Sequence, residues 1–136
     1  MKGFTVALCI DTNGGMLFNR RRQSRDRVLL ADLCRTANSP IYISSFSSAL
    51  FPENGNIKTI DDPFAAPPGS FIFVEDRSLI HHTKNINCLI LYKWNRSYPR
   101  DMVLDIDPIE QGFKLTESYD FVGSSHDKIT KEIYRK

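Results

Sequence analysis

Residues 4–11 read FTVALCID, a nearly continuous apolar run of strand length that Asp11 ends. No other feature constrains the fold as much. A strand with one wet face alternates apolar and polar residues, whereas a continuous run suits a strand covered on both faces. Parallel sheets are built from such strands, and parallel neighbours need long connections. FIFVE at 71–75 has the same character, and NCLILYKWN at 87–95 is the longest strong strand.

The segments between these runs supply the connections. TNGG at 12–15 is turn chemistry, because Asn and Gly tolerate positive φ, and MLFN then reads as a short extended piece. Ser24 is the expected N-cap of a helix from about Arg25 to Ala37. Leu29, Leu30, Leu33, Cys34 and Ala37 recur at helical spacing and form its apolar stripe. Pro40 ends the helix, since it disfavours helical geometry at Ser39. IYIS (41–44) and IKTI (57–60) read as strands, SFSSALF as a short helix, PENGN as a turn and DDPFAAPPGS as a loop. After residue 95, MVLDID (102–107), FKLTESYDF (113–121) and KITKEIYR (128–135) read as strands joined by short turns. In FKLTESYDF, Phe113, Leu115, Tyr119 and Phe121 are expected on one face. Early helical crossovers followed by late tight turns predict one α/β domain over residues 1–136. Its sheet is mixed and mostly parallel, with an antiparallel C-terminal hairpin and helices packed on it.

Charge and cysteines bound the function. Cys9, Cys34 and Cys88 lie in apolar stretches without C-x-x-C spacing. They are expected to be buried free thiols in a reducing cytoplasm, and no metal site is expected. No apolar run approaches the roughly 18 residues that span a bilayer, so no membrane partner is expected. The N-terminus reads as a first strand and not as a signal peptide. FNRRRQSRDR (18–27) holds five arginines against Asp26, whereas residues 101–120 hold six acids against Lys114. The two regions could pair, within one chain or between the subunits of a homodimer. Equally, a helix N-terminus beside arginines is a competent anion site for a small anionic ligand or an RNA phosphate.

Asp26 is the sharpest candidate. It precedes Leu29, Leu30 and Leu33 by three, four and seven residues, so it faces the apolar stripe at the end that borders a pocket. Partial desolvation there would raise its pKa towards an acid–base range. An acid in the first helical turn also simply favours the helix dipole. Gly14, Gly15, Met16, Phe18, Arg22 and Arg25 are the expected ligand contacts around it. GSSHDK (123–128) reads as a polar hairpin loop, and His126 within it is a second candidate acid or base. His81 and His82 are adjacent and point different ways. G-x-G-x-x-G, Walker, H-E-x-x-H and G-x-S-x-G motifs are all missing from the sequence.

The element order resembles dihydrofolate reductase. FTVALCIDTNGGMLFN looks like that family's first strand and loop, and SRDRVLLADLCRTANSPIYIS like its helix and second strand. The stretch from INCLILYKWN to the C-terminus looks like its last three strands. The resemblance implies a carboxylate near the start of the first helix, at Asp26, contacting a pterin. It also implies NADPH held by a Gly-Gly pair after the fifth strand, but this chain has FIFVEDRSLIHH there, with Glu75 and Asp76 where a pyrophosphate would sit. SSFSSALF replaces the Gly-Arg phosphate contact, so no cofactor is expected. The same stretches are similar to short bacterial proteins, some of which carry a ribonuclease Z label. That label implies a His-x-His-x-Asp-His zinc motif, which His81, His82 and His126 do not make.

Three functions follow. One is a binding protein or diverged reductase relative with a pocket beside Asp26 and the Gly14–Gly15 loop. The next is an RNA-directed, metal-independent nuclease using the arginines and His126. The last is an interaction module.

Overall fold

The computed structural model describes residues 3–51 and 56–136; the PENGN turn lies largely outside them. The first run forms β1 (Phe4–Ile10), and Gly15–Phe18 and Arg21–Arg22 form the short β2 and β3. Helix α1 spans Arg27–Ala37, followed by β4 (Ile41–Ile43), a 3-10 turn at Ser45–Leu50, β5 (Ile57–Thr59) and β6 (Phe71–Phe73). The C-terminal half adds β7 (Ile86–Lys93), β8 (Met102–Val103), β9 (Lys114–Phe121) and β10 (Ile129–Arg135).

Seven strands make the main sheet in the order β5-β4-β6-β1-β7-β10-β9. The continuous apolar run is the sheet's centre, as its composition requires. β1 pairs in parallel with β6, Val6 opposite Ile72, and with β7, Val6 opposite Leu89. β4 and β5 extend the parallel part, while β10 and β9 pair antiparallel. The sheet is therefore mixed and mostly parallel with an antiparallel C-terminal hairpin.

Both faces of β1 are buried. Ala7, Ile90 and Tyr92 point to the face that α1 covers with Leu29 and Leu33. The middle of α1 is tied down by Asp32, which takes a 2.7 Å hydrogen bond from the Tyr92 hydroxyl and pairs with buried Lys131 at 2.9 Å. Val6, Leu8, Leu89 and Leu91 point to the other face. No α-helix covers it among the described residues; Leu79, Leu104, Ile106 and Phe113 from connecting loops do so, with Phe64 from a 3-10 turn at Pro63–Ala65. The short helix expected at SFSSALF is present as a 3-10 helix at Ser45–Leu50, and α1 is the one α-helix among the described residues. No described helix is long and apolar enough to cross a membrane.

Four local expectations change. The helix begins at Arg27, and its cap is Asp26 rather than Ser24: Asp26 is extended (φ −152°, ψ 126°) and its carboxylate accepts from Val28 N and Leu29 N. All three thiols are free, but Cys34 is exposed and Cys88 only half-buried, whereas the Cys9 thiol is enclosed. MVLDID is a strand only at Met102–Val103, and it pairs with β2 in a separate three-stranded sheet. On β9, Tyr134 faces Leu115 while Ile133 faces Glu117, so Thr116 is an extra residue. That bulge breaks the period of two, and Leu115 and Tyr119 lie on different faces, both exposed.

Candidate functional site

The carboxyl ends of β1, β6 and β7 lie side by side, because Trp94 N donates to Ile10 O and Val74 N to Ala7 O. At this end α1 begins. The β1–α1–β4 crossover leaves on one side of β1 and β7 lies on the other, the kind of switch point where open α/β sheets form crevices. A narrow cleft opens there, closed down to about 20 Å³, room for little more than one water. Met16, Leu29, Leu50, Phe73 and Trp94 make its apolar wall, and Arg22, Gln23, Ser24, Arg25, Asp26 and Glu75 its polar wall. It continues outward into a hollow that shares Arg25, Asp26, Leu30 and Leu50 and adds Arg27, Ser124 and Ser125.

Asp26 is almost fully buried, at 2% exposure. Its Oδ1 accepts from Val28 N (2.9 Å), Leu29 N (3.2 Å) and Ser124 N (2.9 Å). Its Oδ2 accepts from Ser125 N (2.8 Å) and lies 3.0 Å from His126 Nδ1. The 123–126 loop is thus clasped to the start of α1, and Arg27 N adds a 2.9 Å bond to Ser124 Oγ. Gly123 is required at this approach, since a Cβ there would run into the Asp26 carboxylate. Desolvation pushes the Asp26 carboxyl up, but the bonds from His126, Ser125, Ser124 and Leu29 outweigh it. The group is held well below the usual carboxylate range. This corrects the expected upward shift: burial came with donors, and the donors win.

His126 is equally enclosed. Its ring stacks on Trp94 with centroids 4.5 Å apart, and Nε2 lies 3.0 Å from both Ser24 Oγ and Tyr98 Oη. A second buried carboxylate, Asp11, places Tyr98: it accepts from Asn13 N and Gly15 N on Oδ1 and from Tyr98 N and Gln23 Nε2 on Oδ2. Desolvation raises Asp11 as well, but the N–H donors of Gly15, Tyr98 and Asn13, with Arg100 nearby, bring it below its ordinary value.

The structure therefore gathers Met16, Arg22, Arg25 and Asp26 at one cleft, with His126 directly behind Ser24. Gly14 and Gly15 form the Asp11-bound turn outside the cleft lining, where φ of +78° at Gly14 favours glycine. Phe18 is exposed and borders a separate hollow with Tyr98 and Pro99. Arg22 is not paired with the acids of 101–120. Its guanidinium grips Glu75 with Nε–Oε2 of 3.0 Å and Nη2–Oε1 of 3.1 Å, and Ser47 Oγ adds 2.7 Å. Glu117 and Asp120 pair instead with Arg135 and Lys128. Ser24, Tyr98 and Trp94 were not among the expected site residues. No local pattern marks them, because each joins the site through a partner distant in sequence.

No protein-family model and no curated protein matches the sequence. Among solved structures, the chain is similar to a dihydrofolate reductase from Enterococcus faecalis complexed with NADP(H) and RAB-propyl. The TM-score is 0.68 over 98% of this chain and 95% of that one, at 8% identity. The chain has the dihydrofolate reductase fold. At that identity the likeness establishes the architecture alone.

Proposed function

We propose that this chain is a small-ligand-binding relative of the reductase fold, and that its ligand is an organic anion seated in the cleft beside Asp26. The observation that carries the reading is the cleft's division. An apolar inner wall of Leu29, Leu50, Phe73 and Trp94 leads out to a rim holding Arg25 and Arg27. Neither arginine forms an ion pair among the described residues, so both charges are available to a ligand. Gln23 lines the same cleft, and its buried Oε1 has no partner among the described residues. The room lies in the outer hollow, about 280 Å³, so a ligand whose carboxylate, sulfonate or phosphate sits there by the arginines, with a small apolar end at the mouth of the cleft, matches this layout.

The similar dihydrofolate reductase is complexed with NADP(H), and the corresponding turn here does not suit a pyrophosphate. Residues 74–82 after β6 form turns, so no α-helix offers its N-terminus there. Glu75 projects into the cleft and Asp76 follows it. The RNA-directed alternative needs His126 in an open basic groove, and its burial behind Ser24, Tyr98 and Trp94 favours the enclosed cleft.

Anilinonaphthalene sulfonate, an apolar anion, tests the reading. Its fluorescence should rise saturably with the folded chain. Arg25→Glu, an exposed change, should weaken binding about 10-fold or more, the equivalent of one lost charge-assisted contact. Equal binding by wild type and Arg25→Glu, or no saturable signal, would overturn it.

A further inference from the structure

We propose that Ser24 is the nucleophile of an acyl-transfer site in this cleft, with His126 as its general base and Asp26 as the carboxylate that orients the imidazole. The inference rests on the binding reading above, since the acyl donor would be an ester seated in the same cleft. Three residues far apart in sequence converge in series: Asp26 Oδ2 to His126 Nδ1 at 3.0 Å, and His126 Nε2 to Ser24 Oγ at 3.0 Å. That is the connectivity by which a hydroxyl is activated, and it is recognised by geometry and roles rather than by sequence order.

The surroundings fix each role. Four backbone N–H donors already point at the Asp26 carboxylate, so it is ionised and can only accept. His126 Nδ1 must then carry the ring proton, which leaves the Nε2 lone pair facing Ser24 and Tyr98. Stacking on Trp94 and the Tyr98 hydroxyl hold the ring plane. Of the three residues in series, the Ser24 hydroxyl is the group on the cleft wall able to attack, while the imidazole lies behind it. Cys9 lines the same cleft, but burial raises its thiol pKa, reinforced by Glu75 and Asp26, and the imidazole bonds to Ser24 and not to Cys9 among the described residues.

The substrate class is a small carboxylic ester carrying an anionic group. Ser24 Oγ bonds to the carbonyl carbon as its proton passes to His126 Nε2. The tetrahedral intermediate, with Arg25 on the same wall as the cation not already paired, collapses by breaking the bond to the alcohol oxygen. That alcohol leaves with the proton from His126. Water then repeats the sequence on the acyl-serine, giving its proton to His126, and releases the acid as the proton returns to Ser24.

The test uses the full chain with a phosphonofluoridate probe, read by intact mass and peptide mapping. The expected result is one adduct, on Ser24, that is lost in Ser24→Ala and forms about 10²–10³-fold more slowly in His126→Gln. The same ranking is expected for p-nitrophenyl acetate hydrolysis. No adduct on a chain that still binds anilinonaphthalene sulfonate would overturn the relay and leave the binding reading standing. An adduct on Ser24 without saturable dye binding would support the relay and sink the binding reading. An adduct mapped to any other residue also overturns the relay, and the wild-type map decides this even if Ser24→Ala fails to fold.

Discussion

Replacing Asp26 by Asn removes one charge and almost no volume, so its effect isolates the clasp. Asn Oδ1 can keep the bonds from Val28, Leu29 and Ser124. The amide nitrogen then meets the Ser125 N–H, donor against donor, and also meets protonated His126 Nδ1. His126 can escape by moving its proton to Nε2, but Ser125 N–H stays unpaired. One stranded backbone donor and one lost charge-assisted bond together cost about 2–4 kcal/mol. That is a large share of the roughly 5–15 kcal/mol that holds a domain folded. It exceeds the ~1 kcal/mol expected if Asp26 only complemented the helix dipole.

Urea unfolding followed by Trp94 fluorescence is the assay. Trp94 is the single tryptophan and stacks on His126, so it reports on the clasp itself. The pH dependence follows from the depressed carboxyl. A group whose folded pKa lies below its unfolded value stabilises the fold above the unfolded pKa, about 3.9, and that contribution is lost as pH falls through the folded pKa. The wild-type advantage over Asp26→Asn should therefore be constant above about pH 5 and shrink below about pH 4. A difference under ~1 kcal/mol at neutral pH would refute the clasp as an energetic unit, and so would one that grows on acidification.

Gly123→Ala should destabilise by about 1–3 kcal/mol, because its methyl displaces the Asp26 carboxylate and crowds Ile129 Cδ1 at 2.8 Å; a melting temperature equal to wild type would contradict the approach. Arg22→Met strands the largely buried Glu75 and should cost on the order of 3 kcal/mol, whereas Arg20→Gln and Arg21→Gln, both exposed, should stay within about 0.5 kcal/mol. Three equal effects in denaturant melts would show that the cluster acts only through its summed charge. NADPH fluorescence should show no saturation in the micromolar range, and a micromolar dissociation constant would restore a nicotinamide role to the turn after β6.

The central strands were legible because burial on both faces writes itself as continuous apolar sequence. Helix α1 starts two residues later than a Ser24 cap predicts, for a specific reason. Ser24 and Asp26 are both good caps, and the choice is made by Ser124 and Ser125, whose amides reach only Asp26. MVLDID looked like a strand because Leu104 and Ile106 are apolar, yet they serve as a lid on the helix-free face of the sheet. Asp26, Arg22, Arg25 and Met16 were readable as neighbours of one cleft because they are close in sequence. The use of His126 was not, since its carboxylate lies 100 residues away.

That separation also determines what the carboxylate can do. The resemblance placed a ligand-contacting acid at the head of the first helix, and in this chain the acid is there but fully occupied by the hairpin loop. Each donor it accepts lowers its basicity and its reach, so Asp26 is a poor proton carrier for a ligand in the cleft. The same donors make it a rigid anchor for His126, which passes that orientation on to the Ser24 hydroxyl. Closing a segment of 100 residues costs loop entropy that grows only as the logarithm of length, and pairing of β10 with β7 and β9 brings the two ends together in any case. The relay is therefore complete only when the last strand is in place, and chemistry that a free carboxylate would perform passes to the hydroxyl it orients.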